Sequence, residues 1–283
     1  MTSDPRTNTA PARLSFEGSV FARAEAALST YTGPVDDLTA KNEWLHANGC
    51  PITLVSDADY AADEQERAER RRAMLIQASG LRQLRHYEVY TPESFRVRGG
   101  DATALERVDA WLAQLGSPDA GRGLYLHGQM RRGKTWLAQY AARRFIETRE
   151  AGARYASVVH LLEELREEMG TRGERGGLPA VLSVPLLVLD DLGAEVVSKW
   201  VLERLFELVD FRHARALATV YTSNLGLDEL EAHLGPRPTG AITAEDRLRG
   251  VRTAERIREH CAGWVIEVGG PNLGRVRERG RNG

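Results

Sequence analysis

Lysine is nearly absent: of 38 basic residues only Lys41, Lys134 and Lys199 are lysines, and the rest are arginines. Where an arginine-biased chain keeps a lysine, the site has a reason to refuse a planar guanidinium. Lys134 lies in a glycine-bracketed loop. Cysteine is almost as scarce. Cys50 and Cys261 cannot form a disulfide framework or, unaided, a zinc site, so no structural metal of that kind is expected. No apolar run approaches the roughly 18 residues that span a bilayer. The first residues, MTSDPRTNTAPARLSFEG, lack the apolar stretch of a signal peptide. A cytoplasmic, reduced protein with no membrane contact is the expectation. An excess of either charge is also missing, since 38 basic residues face 40 acidic ones for a net charge of −2. No global positive field advertises nucleic acid, and any such contact must come from local patches.

What is present is enough apolar residue, 42% of 283, for one large domain or a medium one with a small companion. Residues 1–15 are polar and rich in Pro and Thr, which predicts disorder. From Phe16 to Leu45 the apolar spacing fits short amphipathic helices, broken at Asn48-Gly49-Cys50-Pro51. A charged helix over Ala61–Gln77 follows, with acids ahead of bases. Residues 16–80 therefore read as a small helical region with a charged connector.

Beyond residue 81 the pattern changes to alternating strands and helices. A helix around Ala104–Leu115 leads to the strand Gly123–His127, then a helix over Thr135–Thr148. Strand Arg154–Val159 precedes helix Leu161–Met169, and the continuous apolar run Val184–Leu189 suits a strand buried on both faces. Helix Trp200–Phe211 and strand Ala218–Thr222 complete the alternation. The expected fold class is α/β, a parallel β-sheet flanked by helices.

Residues Gly128 to Thr135, GQMRRGKT, fit G-x-x-x-x-G-K-[ST] between a predicted strand and a predicted helix. The glycines let backbone N–H groups turn toward phosphate oxygens, and the helix N-terminus adds partial positive charge. ATP with Mg²⁺ is the expected ligand. Lys134 is placed for the β- and γ-phosphates and Thr135 for the metal. Gly128, Gly133 and Trp136 complete the nucleotide-binding set. Arg132 and its neighbour Arg131 either face an anionic ligand or are solvated. At the end of the run LLVLDD, Asp190 is placed to hold Mg²⁺ and Asp191 to orient or deprotonate the attacking water. Asn224, after the strand ATVYTS, is a polar amide at a neighbouring strand end, where it could contact that water or the γ-phosphate.

The runs LYLHG…GKTWLA, LLVLDDLGAE…SKW, ATVYTSNL and RTAERIREHC resemble the AAA+ helicase-loader family of DnaC/DnaI type and the related IstB-like transposase-helper ATPases, over roughly residues 65 to 275. The resemblance implies an AAA+ P-loop NTPase domain over 81–275, with a basic tail at 276–283. It makes Asn224 a sensor and gives the pair Arg252 and Arg256 an arginine finger that acts on a neighbouring subunit's ATP, with Arg256 the choice. Arg247 is an alternative. Glu255 stands where the family usually has serine and is placed to pair with the arginine. Arg275, in GGPNLGR, would be a second sensor contacting nucleotide.

By the same resemblance, the partners are a replicative hexameric helicase of DnaB type, single-stranded DNA, and further copies of the chain. Residues 16–80 are either the grip on the helicase or a structural extension. Arg172 and Arg175 in one loop, and Arg275, Arg277, Arg279 and Arg281 in the tail, are either phosphate contacts or solvated. The implied function is ATP-dependent loading of a replicative helicase onto single-stranded DNA. A transposase-helper ATPase shares the engine and differs in cargo. A P-loop small-molecule kinase and a nucleotide-gated binding module stand further off.

Overall fold

The computed structural model describes residues 18–83, 91–116, 122–172, 178–235 and 242–273. The expectations for residues 1–15, for Arg175, for Arg275 and for the tail 276–283 lie outside the described residues, as does the side chain of Arg172. The chain divides into two compact units at Arg70/Arg71.

In the first unit, α1 (Gly18–Ser29) and α2 (Leu38–Ala47) enclose a small core of Ala24, Leu45 and Cys50. Asp37 caps α2 by accepting the Ala40 N–H at 3.0 Å. Asn42 fastens the extended segment after Cys50 by both donating to and accepting from the Leu54 backbone, at 2.8 and 2.6 Å. Cys50 is thereby a packing residue. Helix α3 (Asp57–Ala78) starts four residues earlier than its charge pattern predicts. The reason is local: Ser56 accepts the Asp59 N–H at 3.0 Å and donates to the Asp59 carboxylate at 2.7 Å, which begins the helix there.

The second unit is built on five parallel strands, β1 (Gly123–His127), β2 (Ala153–Ser157), β3 (Leu186–Leu192), β4 (Ala218–Ser223) and β5 (Val265–Glu267), in the order β2-β3-β4-β1-β5. Side chains alternate along each strand between two cores. Leu124, Leu126, Leu186, Val188 and Val220 face α5 (Ala102–Gln114) and α6 (Lys134–Arg149), where Leu105, Trp111, Leu137 and Ile146 are buried. Tyr125, Leu187, Leu189 and Tyr221 face the other way, onto α9 (Lys199–Ala214) and α11 (Ala244–His260) through Leu202, Leu205, Val209 and Ile257. Between the strands run α4 (Pro92–Val97), α7 (Val158–Arg172), α8 (Leu178–Ser183) and α10 (Leu227–Leu234). The predicted α/β class and parallel sheet are the observed ones.

Two boundaries differ from expectation. Strand β2 ends at Ser157 and α7 begins at once at Val158, because Val158, Leu161, Leu162 and Leu165 continue at helical spacing into the second core. Strand β3 runs on through Asp190 and Asp191 to Leu192, so the acids lie within the strand end and not after it.

One buried charge ties this unit together. Arg212, on α9, is fully buried and faces backbone carbonyls. Its guanidinium donates to Leu182, Val184 and Ala218 carbonyls at 3.0, 2.9 and 2.6 Å and to the Thr219 hydroxyl at 2.9 Å. Burial pulls its pKa down to about 10.

Candidate functional site

Strand order decides which residues meet. Because β4 inserts between β1 and β3, the loop after β1, the acids of β3 and the amide after β4 share the C-terminal edge of the sheet. The loop from Gly128 to Gly133 turns through left-handed backbone at Gly128 (φ 126°), Arg131 (φ 62°) and Gly133 (φ 102°). A Cβ on Gly133 would lie 2.7 Å from Phe95 Cε2, so only glycine fits that conformation and that space. Helix α6 starts directly after Gly133 with no side-chain cap, and its first helical bond runs from Leu137 N–H to Gly133 O at 2.9 Å. Its first-turn N–H groups are left to face the loop, a ready anion cradle.

Lys134 is buried. Its ammonium donates to Gly128 O at 2.8 Å, Gln129 O at 2.9 Å and Asn224 Oδ1 at 2.8 Å. The Asn224 amide passes the contact on, donating from Nδ2 to Asp191 Oδ1 at 3.2 Å. An ammonium can only donate and a carboxylate only accept, so the amide has one orientation that satisfies both. Desolvation lowers the Lys134 pKa, against the opposing pull of Asp191 and Asp190. His127, at the end of β1, is likewise held below its ordinary value by desolvation.

The two acids are separated by a bulge. Between the paired positions Leu189↔Tyr221 and Leu192↔Ser223, β3 spends one residue more than β4. Asp191 takes up the surplus in a left-handed conformation (φ 61°) and is exposed, while Asp190 is buried. Thr222 staples the bulge: its hydroxyl accepts the Asp191 N–H at 2.9 Å and donates to Asp190 Oδ1 at 2.6 Å. Thr135 donates to the same Asp190 oxygen at 3.1 Å, and Tyr155, on β2, donates to Oδ2 at 2.5 Å. Thr135 and Asp190 thus present hydroxyl and carboxylate oxygens side by side, a hard donor pair that suits Mg²⁺.

The segment after β5 runs along the loop. Val268 N–H donates to His127 O at 2.7 Å and Leu273 N–H to Arg131 O at 2.9 Å. Arg132 donates to Gly270 O, and to Gln129 Oε1 at 2.6 Å, so its guanidinium ties the loop to this segment. The Trp136 ring is buried in a stack between Phe95 (4.3 Å between centroids) and Tyr140 (5.4 Å), which makes it a wall of the core behind the loop. What Trp136 presents to the loop is main chain.

The arginines of α11 lie apart from this cluster. Arg256 pairs with Asp210 at 3.1 Å and Glu259 at 2.7 Å, not with Glu255 as expected from sequence. Helical geometry explains the difference: i and i+3 share a face, adjacent residues do not. Those two acids, Glu259 first, raise the Arg256 pKa further. Arg252 and Arg247 are exposed on the same helix.

A family model described as IstB-like ATP binding protein matches residues 56–250, more than half of the chain. The chain belongs to the IstB-like ATP-binding family. Among curated proteins, the replicative helicase loader DnaI of Bacillus subtilis (strain 168) is 29% identical over 154 residues, 54% of this chain and 48% of that protein. The chain therefore spans about half the length of this relative. A crystal structure of DnaI matches with 29% identity and a TM-score of 0.50, over 59% of this chain and 84% of that one. The replication initiator DnaA bound to AMPPCP and single-stranded DNA matches at 22% identity and TM-score 0.50, over 66% and 51%, a likeness of fold alone. The fold of this IstB-like protein is the AAA+ P-loop fold, and its family binds ATP.

Several members of the site carry no sequence signal. Tyr155 and Thr222 look like ordinary strand residues until the neighbouring strand is known. Phe95 reads as one apolar residue in a short helix. Arg166 and Trp200, which form a cation–π pair at 4.5 Å beside exposed Val196, come from α7 and the start of α9. No helix among the described residues is long and apolar enough to cross a membrane.

Proposed function

We propose that this protein is an ATP-driven loader that sets a ring-shaped replicative helicase onto single-stranded DNA. The observation that carries the reading is the contact chain Lys134–Asn224–Asp191, spanning three strand ends, in a chain with a relative named a replicative helicase loader. A module that only holds nucleotide needs the loop and the lysine. A carboxylate and an amide converging on that lysine belong to water attack.

In the reaction we assign, Lys134 exchanges Gln129 O and Asn224 Oδ1 for β- and γ-phosphate oxygens. The released amide then holds the attacking water together with Asp191, which takes the proton. Thr135 and Asp190 hold Mg²⁺, which when bound bridges phosphate oxygens and offsets their charge. The loop N–H groups and the α6 N-terminus hold the phosphates in line. Arg256 of a neighbouring subunit, released from Asp210 and Glu259, supplies positive charge to the transferred phosphoryl oxygens.

For DNA, the surface we assign is the cleft of about 320 Å³ lined by Arg166, Val196 and Trp200. A guanidinium plane on an aromatic ring beside apolar surface suits stacked bases, and every base offers a face. The helical region before residue 80 is assigned to the helicase.

The family description favours a second reading, a transposase helper built on the same ATPase. Affinity capture with tagged wild type and Lys134→Ala, with ATP present, separates the two. The loader reading expects a replicative helicase retained by wild type and lost or trapped by the variant. Recovery of a transposase with no helicase would sink it. Absence of ATP hydrolysis, with and without single-stranded DNA, would sink the ATP-driven part of both.

A further inference from the structure

We infer that Tyr155 is a positioning residue for the metal-holding carboxylate, a role that rests on the ATPase reading above. Asp190 is buried, and a buried carboxylate keeps its charge only if its lone pairs are engaged. Three hydroxyls engage it: Thr135 and Thr222 on Oδ1, and Tyr155 alone on Oδ2.

These partners are not equivalent. Thr135 would turn its oxygen to Mg²⁺ and give up its bond to Asp190. Thr222 is committed to the bulge, because the same hydroxyl accepts the Asp191 N–H. Tyr155 is the partner that fixes the far oxygen and therefore the rotation of the carboxylate about its Cβ–Cγ bond. With Oδ2 held at 2.5 Å, Oδ1 stays turned to Thr135, where the metal and its water would sit.

The ring can do this because of register. In the parallel pair β2–β3, Ser157 lies opposite Asp190 and Tyr155 opposite Val188. The phenol therefore starts two residues back along the edge strand and spans the offset with its ring. A shorter side chain at residue 155 would fall short of the acid. The strand itself is tied on its outer side, where Tyr155 N–H donates to Ser79 O at 2.9 Å, so the ring is carried on a fixed backbone. Partners behind a metal ligand orient it and tune its basicity, and losing one typically weakens metal affinity or activity by roughly 10- to 100-fold.

The test compares wild type, Tyr155→Phe and Tyr155→Leu. The readouts are binding of a fluorescent ATP analogue in Mg²⁺ and in EDTA, hydrolysis against Mg²⁺ concentration, and melting temperature in EDTA. The expected result is a roughly ten-fold rise in the Mg²⁺ concentration for half-maximal binding and hydrolysis in both variants. Binding in EDTA should stay unchanged, and the melting temperature should fall only in the leucine variant, which loses the ring. Wild-type Mg²⁺ dependence in Tyr155→Phe, or a shift seen only in Tyr155→Leu, would overturn the proposal. So would a Tyr155→Phe protein that fails to fold, since the hydroxyl would then be a structural need. A wild type that binds no nucleotide would overturn the ATPase reading as well, which keeps the two failures distinct.

Discussion

Lys134 and Asn224, ninety residues apart in the chain, meet at 2.8 Å at the C-terminal edge of the sheet. The lysine belongs to the loop after β1 and the amide to the end of β4, the strand between β1 and β3. The amide also donates to Asp191. A ligand that draws Lys134 away from Asn224 therefore changes what Asp191 has beside it. This makes the lysine a sensor of occupancy as well as a binding group.

That arrangement separates binding from hydrolysis. Lys134→Ala and Lys134→Arg should each weaken ATP binding by roughly 10- to 100-fold, the worth of one or two charge-assisted hydrogen bonds. Arginine fails because a planar fork cannot satisfy three convergent acceptors in the space of an ammonium. Asn224→Ala should leave ATP affinity within about two-fold and lower kcat on the order of 10²-fold. Equilibrium binding and steady-state hydrolysis measured on the same preparations check this. A large loss of affinity in Asn224→Ala would show that the amide acts in binding.

The elements that sequence makes legible are those whose burial pattern repeats. Leu186–Leu189 is apolar without a break because β3 is covered on both faces, and GLYLH and ATVYTS are apolar for the same reason. The loop and Asp190–Asp191 are legible because phosphate and metal chemistry needs particular atoms at particular spacings. What could not be read depends on which strands are neighbours. Tyr155 and Thr222 acquire their meaning from β2 and β4 flanking β3, an order set by tertiary packing. Strand β5 has three residues and no period to read. The Arg256 partners Asp210 and Glu259 needed the packing of α9 on α11 and the helical register, respectively.

Arg212 carries the largest expected stability effect. Arg212→Met should cost about 3–5 kcal/mol, because it strands the carbonyls of Leu182, Val184 and Ala218 in the interior without donors. Arg212→Lys should recover only part of that, since one ammonium cannot reach acceptors arranged around a fork. Urea unfolding at pH 7.5 measures both. A loss below about 1 kcal/mol in the methionine variant would mean that the carbonyls find other donors.

Gly250 tests the packing of α10 on α11. A Cβ there would sit 1.8 Å from Leu234 O, a backbone atom that cannot swing aside. Gly250→Ala should therefore destabilise by about 1–3 kcal/mol despite alanine's better helix propensity. Thermal unfolding checks the sign. Stabilisation would show that the helices separate at little cost.

His260 should give a pH signature. It is buried against Tyr221 and His213, and burial first, then the nearby His213 and Arg212 charges, hold its pKa down to about 4. Between the ordinary value of 6.5 and 4 the unfolded chain takes up a proton that the folded chain refuses. The stability fully present above pH 6.5 is therefore lost as pH falls toward 4, by about 3 kcal/mol at the acid end. Unfolding free energies from pH 7.5 to 4.5 should fall less steeply in His260→Asn, which does not titrate. Parallel curves would place the acid sensitivity in carboxylates instead.

The arginine finger predicts complementation between two dead proteins. Arg256 is held by Asp210 and Glu259 within its own chain, at side chains all partly exposed, so a neighbour can compete for it at small cost. If the loop of one subunit works with Arg256 of the next, Lys134→Ala and Arg256→Ala should each be inactive alone. In an equal mixture half the subunits keep an intact loop and half of their neighbours an intact arginine, so about a quarter of wild-type hydrolysis should return. The recovery should grow with protein concentration, because it depends on assembly. Mixtures with Arg252→Ala, whose side chain is exposed on the same helix, decide between the two arginines. Recovery with Arg252→Ala, alongside an Arg256→Ala protein that is active alone, would transfer the role to Arg252. No recovery from either mixture would mean that each site is completed within one chain.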